Sequence, residues 1–377
     1  MNYILSDAGY HKRFQPLSLT RGIADFRIGI LTIREKWEKY LGVKPYVLTE
    51  SYIQPKYGEC PTNETIVISS CLIPDRKLVE TVKHLSNETL CKDGQYLAYP
   101  IDAKGLKCVE YAGDVTMLKS LTDIFSMNGA EIKKDFELLT AGLESKKISA
   151  TNIVFGKYPL FVEDGCSVEC ATINTNDGPV YLSAHSEVME GVNIRGPFAL
   201  GEHSVLKMGA KIYGDTTVGP WCKVGGELSN VVFFGFSNKA HDGFLGNTVV
   251  GEWCNFGADS NNSNLKNNYA EVKLWNYESG CFEPTGLQFC GLIFGDHSKC
   301  GINTMFNTGT VVGVSANIYG AGFPRNFVPS FSWGGPAGMT TYKLETAYDV
   351  MEKVMARRHI EFSAVDRAIM KHIFENT

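Results

Sequence analysis

The stretch that decides the fold, residues 200–225, is LGEHSVLKMGAKIYGDTTVGPWCKVG. An apolar residue returns at every sixth position, and the spacing extends along the chain in three registers. These positions are Leu182, Val188, Ile194, Leu200, Leu206, Ile212, Val218 and Val224, then Val250 and Phe256, and then Phe294, Cys300, Phe306, Val312 and Ile318. A period of six matches neither an amphipathic helix nor the alternation of a half-buried strand.

This period predicts a left-handed parallel β-helix between residues 151 and 333. Each hexapeptide forms one flat side and one corner of a three-sided coil, and its apolar residue points into a narrow interior. Coils stack at a strand spacing of about 4.8 Å. Glycine directly follows the apolar residue in several hexapeptides, as in Leu200-Gly201 and Val218-Gly219, where we expect it to adopt the backbone angles of the corner. The alternative is a β-sandwich, which a strict period over eight positions disfavours.

Two polar segments interrupt the repeat. Residues 235–243 break the register, and residues 259–268 are too polar to line a coil. We therefore expect residues 258–287 to form a loop ejected from one corner. Insertions in solenoids gather on one face, which is often the binding face.

The two ends of the chain differ from the repeat. Residues 1–150 are predicted to form a separate α/β domain, and residues 334–377 a helical tail. The expected elements are strands at residues 3–5 and 65–68, a hairpin at residues 90–98, and helices within residues 28–41, 116–125, 130–139 and 344–374. The tail contains a basic pair, Arg357-Arg358, for which a solvated helix face is the simplest interpretation.

Composition limits the possible partners. The chain has 377 residues, 20% of them charged, and a net charge of −5, so no basic field favours nucleic acid or an anionic membrane. No apolar run approaches the ~20 residues that cross a bilayer, and the N-terminus does not match a signal peptide. The 11 cysteines form no CxxC pair, and Cys222, Cys254 and Cys300 occupy interior positions of the repeat. We expect buried reduced thiols and a cytoplasmic protein.

Nearly the whole chain resembles a family of sugar nucleotidyltransferases related to the bifunctional N-acetylglucosamine-1-phosphate uridyltransferase / glucosamine-1-phosphate N-acetyltransferase. The resemblance is most specific in residues 200–322. The segments LKMGA (206–210), SNKAH (237–241), LG (245–246) and CNFGA (254–258), followed by Asn264, have the order and spacing of the acetyltransferase half. The resemblance implies a homotrimer that holds acetyl-CoA between neighbouring β-helices and acts on a sugar phosphate.

The resemblance also implies roles for individual residues. His241 matches the catalytic histidine, a residue type suited to removing a proton from an attacking amine. Asn255 and Asn264 match asparagines that contact the sugar, Lys207 matches an arginine on the sugar phosphate, and Lys239 belongs to the substrate-binding set. The alternatives are a loop histidine that hydrogen-bonds the backbone and asparagines that only form solenoid corners.

Three residues depart from the family pattern. Lys207 keeps the positive charge of the arginine but lacks its bidentate geometry. Ser229 replaces a second cationic phosphate ligand, and Phe244 replaces a tyrosine hydroxyl. Either the acceptor differs from the usual sugar 1-phosphate, or acetylation has been lost.

The N-terminal domain matches its family in outline. Residues 5–17, LSDAGYHKRFQPL, keep the order of strand, loop, arginine and Pro-Leu, with one glycine in the loop. The resemblance implies that Arg13 and Arg21 hold phosphates of a nucleoside triphosphate, UTP or dTTP, that enters with Mg²⁺; surface arginines are the alternative. The usual Gly-Asp metal motif is absent, because serines follow the strand at residues 65–68, so we assign no metal ligand. Asp75 and Asp102 are the nearest candidate carboxylates.

Four functional hypotheses remain open. The first is an acetyl-CoA-dependent acyltransferase on an amino sugar or its phosphate, with His241 as general base. The second is a sugar-1-phosphate nucleotidyltransferase whose β-helix only trimerises the chain, and the third is a non-enzymatic protein that binds a sugar nucleotide or serves as a scaffold. A zinc enzyme of the carbonic anhydrase type is disfavoured, because His185, His203, His241 and His297 lack ligand spacing.

Overall fold

The computed structural model describes residues 1–102 and 107–377, which divide into two compact units. Unit 1 comprises Met1–Phe14, Thr20–Phe26 and Leu31–Leu121, apart from the residues not described. Unit 2 comprises Gln15–Leu19, Arg27–Ile30 and Thr122–Thr377. The helices after residue 121, which the sequence analysis grouped with the N-terminal domain, therefore cluster with the repeat.

Unit 1 is an α/β domain with a six-stranded sheet in the order β2-β1-β3-β6-β5-β7. Strands β2, β1 and β3 run parallel, whereas β6 runs antiparallel to β3. The elements are β1 (Asn2–Ser6), α1 (Ile33–Leu41), β2 (Tyr46–Leu48), β3 (Thr65–Ser69), β4 (Leu72–Ile73), α2 (Arg76–Lys83), β5 (Glu88–Lys92), β6 (Gln95–Pro100), β7 (Lys107–Glu110) and β8 (Thr116–Met117). The predicted strands at residues 3–5 and 65–68 and the predicted hairpin at residues 90–98 are confirmed.

Helix α1 begins later than residue 28, because Thr32 caps it. The Thr32 side chain accepts a hydrogen bond from the Glu35 N–H, and the Glu35 carboxylate accepts one from the Thr32 N–H. This reciprocal pair satisfies two N–H groups that a helix start would otherwise leave unpaired. Gly42 ends the helix with a φ of 75°, which glycine adopts without strain.

Two expectations for unit 1 were wrong. Residues 116–125 do not form one helix: β8 pairs with β4, and only the short helix α3 (Asp123–Ser126) follows. Cys91 and Cys108 form a disulfide, so the expectation of reduced thiols does not extend to this pair. Their strands, β5 and β7, are neighbours, which brings the two Cα atoms to 5.9 Å, within disulfide reach.

Unit 2 contains the predicted left-handed parallel β-helix, which has three faces. Face A consists of β9 (Ile153–Phe155), β12 (Thr172–Asn174), β15 (Asn193–Arg195), β18 (Lys211–Ile212), the first parts of β21 (Glu227–Gly235) and β23 (Phe244–Glu252), β25 (Asn261–Asn262) and β30 (Met305–Phe306). Face B consists of β10 (Leu160–Val162), β13 (Val180–Leu182), β16 (Phe198–Leu200), β19 (Thr216–Val218), the last parts of β21 and β23, β28 (Leu292–Phe294), β31 (Thr310–Val312) and β33 (Phe327–Val328). Face C consists of β11 (Ser167–Val168), β14 (Glu187–Val188), β17 (Val205–Leu206), β20 (Lys223–Val224), β22 (Asn238–Lys239), β24 (Asn255–Phe256), β29 (Lys299–Cys300), β32 (Asn317–Ile318) and β34 (Ser332–Gly335).

Strands on each face pair in parallel with those of the next coil, in register. Leu206 of β17, for example, pairs with Val188 of the preceding coil and Val224 of the following one. All of the predicted interior residues in the three registers are buried in one core, and Cys222, Cys254 and Cys300 lie there as free thiols. Both predictions are confirmed.

The glycines that follow the interior residues serve a different purpose from the one expected. A Cβ on Gly201 would lie 2.6 Å from the backbone of Gly219, and a Cβ on Gly219 would lie 2.1 Å from the Phe234 carbonyl oxygen. Glycine is required there because the next coil approaches too closely for a side chain. The left-handed backbone conformation falls instead on larger residues of the corner between faces B and C, such as His203 and Trp221, with φ of 56° and 60°.

The two polar segments are also more regular than expected. Lys239 and Asn262 both occupy interior positions, in β22 and β25, so the coil continues through them. The Asn262 amide accepts a hydrogen bond from the Gly246 N–H at 2.9 Å and donates one to the Gly246 carbonyl at 3.0 Å, as a backbone peptide would. The ejected part begins after Asn262 and contains an antiparallel hairpin, β26 (Lys273–Asn276) and β27 (Cys281–Pro284).

Helices cover two sides of the solenoid. Helix α4 (Asn128–Thr140) packs through Ile132 and Phe136 on the outward residues Phe161 and Tyr181 of face B. The chain ends in β35 (Gly338–Thr341), α5 (Leu344–Ala356) and α6 (Ala364–Glu375), which confirms the helical tail. Within residues 1–102 and 107–377, no helix combines the length and apolar character needed to cross a bilayer.

Candidate functional site

His241 lies on the corner where the chain passes from face C to face A, which we call the C–A corner. The residues before it belong to β22 and those after it to β23. The His241 side chain is exposed to solvent. Lys207 lies on the same corner two coils earlier, which at the strand spacing corresponds to about 10 Å along the solenoid axis.

The backbone of this corner is held from inside the solenoid by Lys239. Its Nζ donates hydrogen bonds to the carbonyl oxygens of His241 at 2.6 Å and Asp242 at 3.0 Å. The Lys239 side chain is only 1% exposed, and burial lowers its pKa to about 8. The Lys239 ammonium group therefore contacts the backbone of this corner from the interior of the solenoid.

A shortened coil explains why a lysine occupies this interior position. In the preceding coil, Leu228 takes the next interior position only four residues after Val224, instead of six. Gly225 and Gly226 form that tight corner, and a Cβ on Gly226 would lie 3.0 Å from the Lys239 Nζ. Because Gly225 and Gly226 carry no side chains, their corner leaves space for the Lys239 ammonium group to contact the carbonyl oxygens of His241 and Asp242.

The two asparagines that the resemblance singles out lie elsewhere on the solenoid. Asn255 is exposed on face C, in the coil after β22. Asn264 is half-buried at the corner between faces A and B, where its Nδ2 donates to the Asn247 Oδ1 at 2.8 Å. The width of face A thus separates Asn264 from His241 within one chain. Lys207 is half-buried, and its Nζ lies 3.7 Å from the Met189 sulfur.

In unit 1, polar residues converge where three parallel strands end. Asp7 follows β1 and accepts hydrogen bonds from the Ile23 N–H at 3.1 Å and the Thr49 hydroxyl at 2.7 Å; Thr49 follows β2. Burial raises the Asp7 pKa to about 6, against the lowering effect of hydrogen bonds from the Thr49 hydroxyl and the Ile23 N–H. Ligands of α/β sheets bind outside such strand ends. This cluster was not predicted from the sequence, although each of the three strands is followed by a polar residue.

The predicted phosphate ligands of unit 1 differ in their surroundings. Arg13 is half-buried, and its guanidinium lies 5.7 Å from the centroid of the Tyr10 ring. Arg21 is only 3% exposed, so it is not a surface arginine. Of the two candidate carboxylates, Asp75 caps α2 by accepting from the Leu78 N–H at 2.8 Å, and Asp102 is exposed.

The residues present do not fit a resident metal ion. Among the described residues, no three His, Cys, Asp or Glu side chains come together. Asp7 is a single buried carboxylate that already accepts hydrogen bonds, which leaves little capacity for Mg²⁺. His185 and His203 stack on each other along the corner between faces B and C, with ring centroids 5.0 Å apart, on a different corner from His241.

Comparison with known proteins finds a family match for the N-terminal part of the chain. Residues 3–144 match the model of a family described as sugar nucleotidyl transferase. No curated protein matches the chain. A solved structure of Arabidopsis UDP-N-acetylglucosamine acyltransferase is similar, with 17% identity, a TM-score of 0.27, and coverage of 56% of this chain and 80% of that chain. The expected resemblance to sugar nucleotidyltransferases is confirmed over residues 3–144, and this match supports a transferase of sugar-nucleotide metabolism.

The raised pKa of Asp7 predicts how stability depends on pH. Because the folded-state pKa lies above that of an unfolded chain, the native protein binds this proton more tightly. The contribution of the Asp7 carboxyl to the free energy of unfolding is fully present below about pH 4. It is lost as the pH rises through about 6, by on the order of 2–3 kcal/mol. Asp7→Asn has no such charge, so its melting temperature should rise relative to wild type between pH 4 and 7.

Asp114→Asn is the matched control, since Asp114 is exposed in the same unit. Its melting temperature should keep a constant difference from wild type across this pH range. If the melting temperature of Asp7→Asn also kept a constant difference from wild type, burial would not raise the pKa of Asp7.

Proposed function

We propose that the β-helix transfers the acetyl group of acetyl-CoA to the amine of an amino sugar or amino sugar phosphate, with His241 as general base. The observation that carries the proposal is an exposed histidine on a corner whose backbone Lys239 holds from within. The family match of residues 3–144 supports a substrate from sugar-nucleotide metabolism.

The reaction requires one proton transfer and one bond exchange. The sugar amine attacks the thioester carbonyl carbon while His241 accepts a proton from the nitrogen. A C–N bond forms, the C–S bond breaks, and coenzyme A leaves as the thiol after it regains a proton. Fixing the His241 backbone reduces the entropy lost when the imidazole is aligned with the amine.

The sugar-binding set favours a site shared by two chains. Lys207 lies on the same corner as His241 and suits a sugar phosphate, whereas Asn264 lies across face A. A neighbouring subunit in a closed ring can bring its own Asn264 to the C–A corner, because a heterologous interface joins different surfaces of identical chains. We therefore propose a homotrimer with its active sites between subunits.

Replacing His241 tests the role of the base. His241→Asn should lower acetyl transfer to glucosamine 1-phosphate at least about 100-fold, because a general base contributes roughly 10²–10⁴-fold. The release of free coenzyme A thiol measures the rate, and light scattering checks that the assembly is intact. The control is His359→Asn, at an exposed histidine after α5. Equal turnover in the two variants would exclude His241 as the base.

Mixed oligomers test whether two chains share the site. His241→Asn and Asn264→Ala chains, each inactive alone, are co-expressed with different tags and purified through both. Each mixed trimer then contains one intact site in three, so activity should return to about one third of wild type.

The control for mixing is the pair His241→Asn and Lys207→Met. Both residues belong to the same corner of one chain, so mixed trimers of these variants should stay inactive. Recovery in the control, or none in the first pair, would contradict a site built from Asn264 of a second chain.

The second candidate function is sugar-1-phosphate nucleotidyl transfer in unit 1, with the β-helix serving to trimerise the chain. The family match and the cluster of Asp7, Thr49 and Ser70 at the strand ends favour it. Magnesium would enter with UTP or dTTP as part of the substrate, and Arg13 and Arg21 are the proposed phosphate ligands. Stabilisation by a magnesium nucleoside triphosphate supports this function, and stabilisation by acetyl-CoA supports the first. If neither ligand stabilises the protein, the remaining hypothesis is a non-enzymatic protein that binds a sugar nucleotide or serves as a scaffold.

A further inference from the structure

A pocket lies in unit 2 between face C and the end of α5. Its volume of about 440 Å³ is within the range of small-molecule sites, which is roughly 300–1,000 Å³. Four cations line it, two from face C and two from the end of the helix. They are Lys223, Lys299, Arg357 and Arg358. The basic pair that the sequence analysis interpreted as a solvated helix face therefore covers a cavity.

Two of the four cations are held in place by the corner between faces B and C. The Lys299 Nζ donates a hydrogen bond to the His297 carbonyl oxygen at 2.8 Å. The Arg358 guanidinium lies 5.8 Å from the centroid of the Trp221 ring, and its Nη2 lies 3.5 Å from the Trp221 carbonyl oxygen. These contacts orient the charges without neutralising them, because carbonyl oxygens and an aromatic ring carry no net charge.

The pocket has an excess of positive charge in a chain whose net charge is −5. No Asp or Glu is among its described lining residues. Burial lowers the pKa of Lys299 to about 8. The pKa of Lys223 is lowered by burial and then by Arg358, Lys207 and Arg357, with Glu187 as the opposing charge. An anion in this pocket would relieve the repulsion among these groups.

Amide groups in the same pocket indicate that the ligand also carries a hydrogen-bond donor. The Asn238 Oδ1 is buried and accepts no hydrogen bond within the described part of the chain. A buried acceptor without a partner is costly, by about 1–3 kcal/mol, so a ligand hydroxyl or amine would be favoured there. The exposed amide of Asn255 lies in the next coil of the same face.

We propose that this pocket binds a phosphate ester that carries a hydroxyl or amino group, with Lys223, Lys299, Arg357 and Arg358 on the phosphate and Asn238 on the donor. None of these five residues belongs to the set that the family resemblance assigns to catalysis or to substrate, although Asn255, which does belong to it, also lines the cavity. The pocket is separate from the His241 side chain, although Ala240, which precedes it, also lines the cavity. This proposal does not depend on acetyl transfer.

Titration calorimetry on the full chain tests the proposal. The probes are inorganic phosphate, glucosamine 1-phosphate and adenosine 3′,5′-bisphosphate, which distinguish a sugar phosphate from a nucleotide as the source of the phosphate. We expect at least one ester to bind more tightly than inorganic phosphate. Arg357→Gln and Lys299→Gln should each weaken binding about tenfold, the loss of one charge-assisted hydrogen bond.

Lys353→Gln is the control, because Lys353 is exposed on the same helix and does not line the pocket. His241→Asn should retain phosphate binding, which separates a failure of this proposal from a failure of acetyl transfer. Because Lys299 is partly buried, circular dichroism should confirm that its variant is folded, and the exposed Arg357 gives the same test without that risk. The proposal is overturned if no probe binds, or if Arg357→Gln binds as tightly as Lys353→Gln.

Discussion

The narrow interior of the three-sided coil constrains everything else in unit 2. Each coil contributes inward side chains from every face, and these must pack on their counterparts in the coils before and after it. Burying an aliphatic or aromatic side chain there contributes about 1.5–3 kcal/mol, and the parallel hydrogen bonds between coils are formed only when the side chains stay in register. Phe256, Phe294 and Phe306 illustrate the packing, because successive rings contact one another through the interior. The faces are therefore rigid, and function is left to the corners and outward positions.

The corners use this rigidity in different ways. At the C–A corner, one coil is shortened, and the lysine of the next coil turns its ammonium group toward carbonyl oxygens of the residues around His241. At the corner between faces B and C, aromatic residues in the left-handed conformation stack along the axis, as Phe236 does on Trp253 with centroids 4.4 Å apart. Carbonyls of that same corner hold cations of the basic pocket. A polar site on a solenoid is thus built by changing the length or residue type of a corner while the interior stack continues.

Much of the fold followed from the sixfold spacing, because interior position and side-chain type are directly coupled in such a coil. The same rule failed at Lys239 and Asn262, which are polar yet inward, because a hydrogen bond to the backbone can replace an apolar contact. It also misassigned the purpose of Gly201 and Gly219, since a close approach between coils is a contact between residues distant in sequence. For the site, the family resemblance singled out His241, but neither it nor the spacing indicated the pocket beneath α5, because Arg357 and Lys299 meet only through tertiary packing. The cluster around Asp7 was missed because polar residues after separate strands meet only when those strands are neighbours, and the strand order does not follow from the sequence.

The proposed acetyl transfer to amino sugars by the solenoid is best tested through the identity of the product. Purified protein is incubated with acetyl-CoA and a set of amino sugars and amino sugar phosphates, and the mixture is analysed by mass spectrometry with fragmentation. We expect one acceptor to gain a single acetyl group on its nitrogen, in an amount equal to that of the free coenzyme A. Acetyl transfer to amino sugars is contradicted if acetyl-CoA remains intact with every acceptor, or if it is only hydrolysed to acetate and coenzyme A.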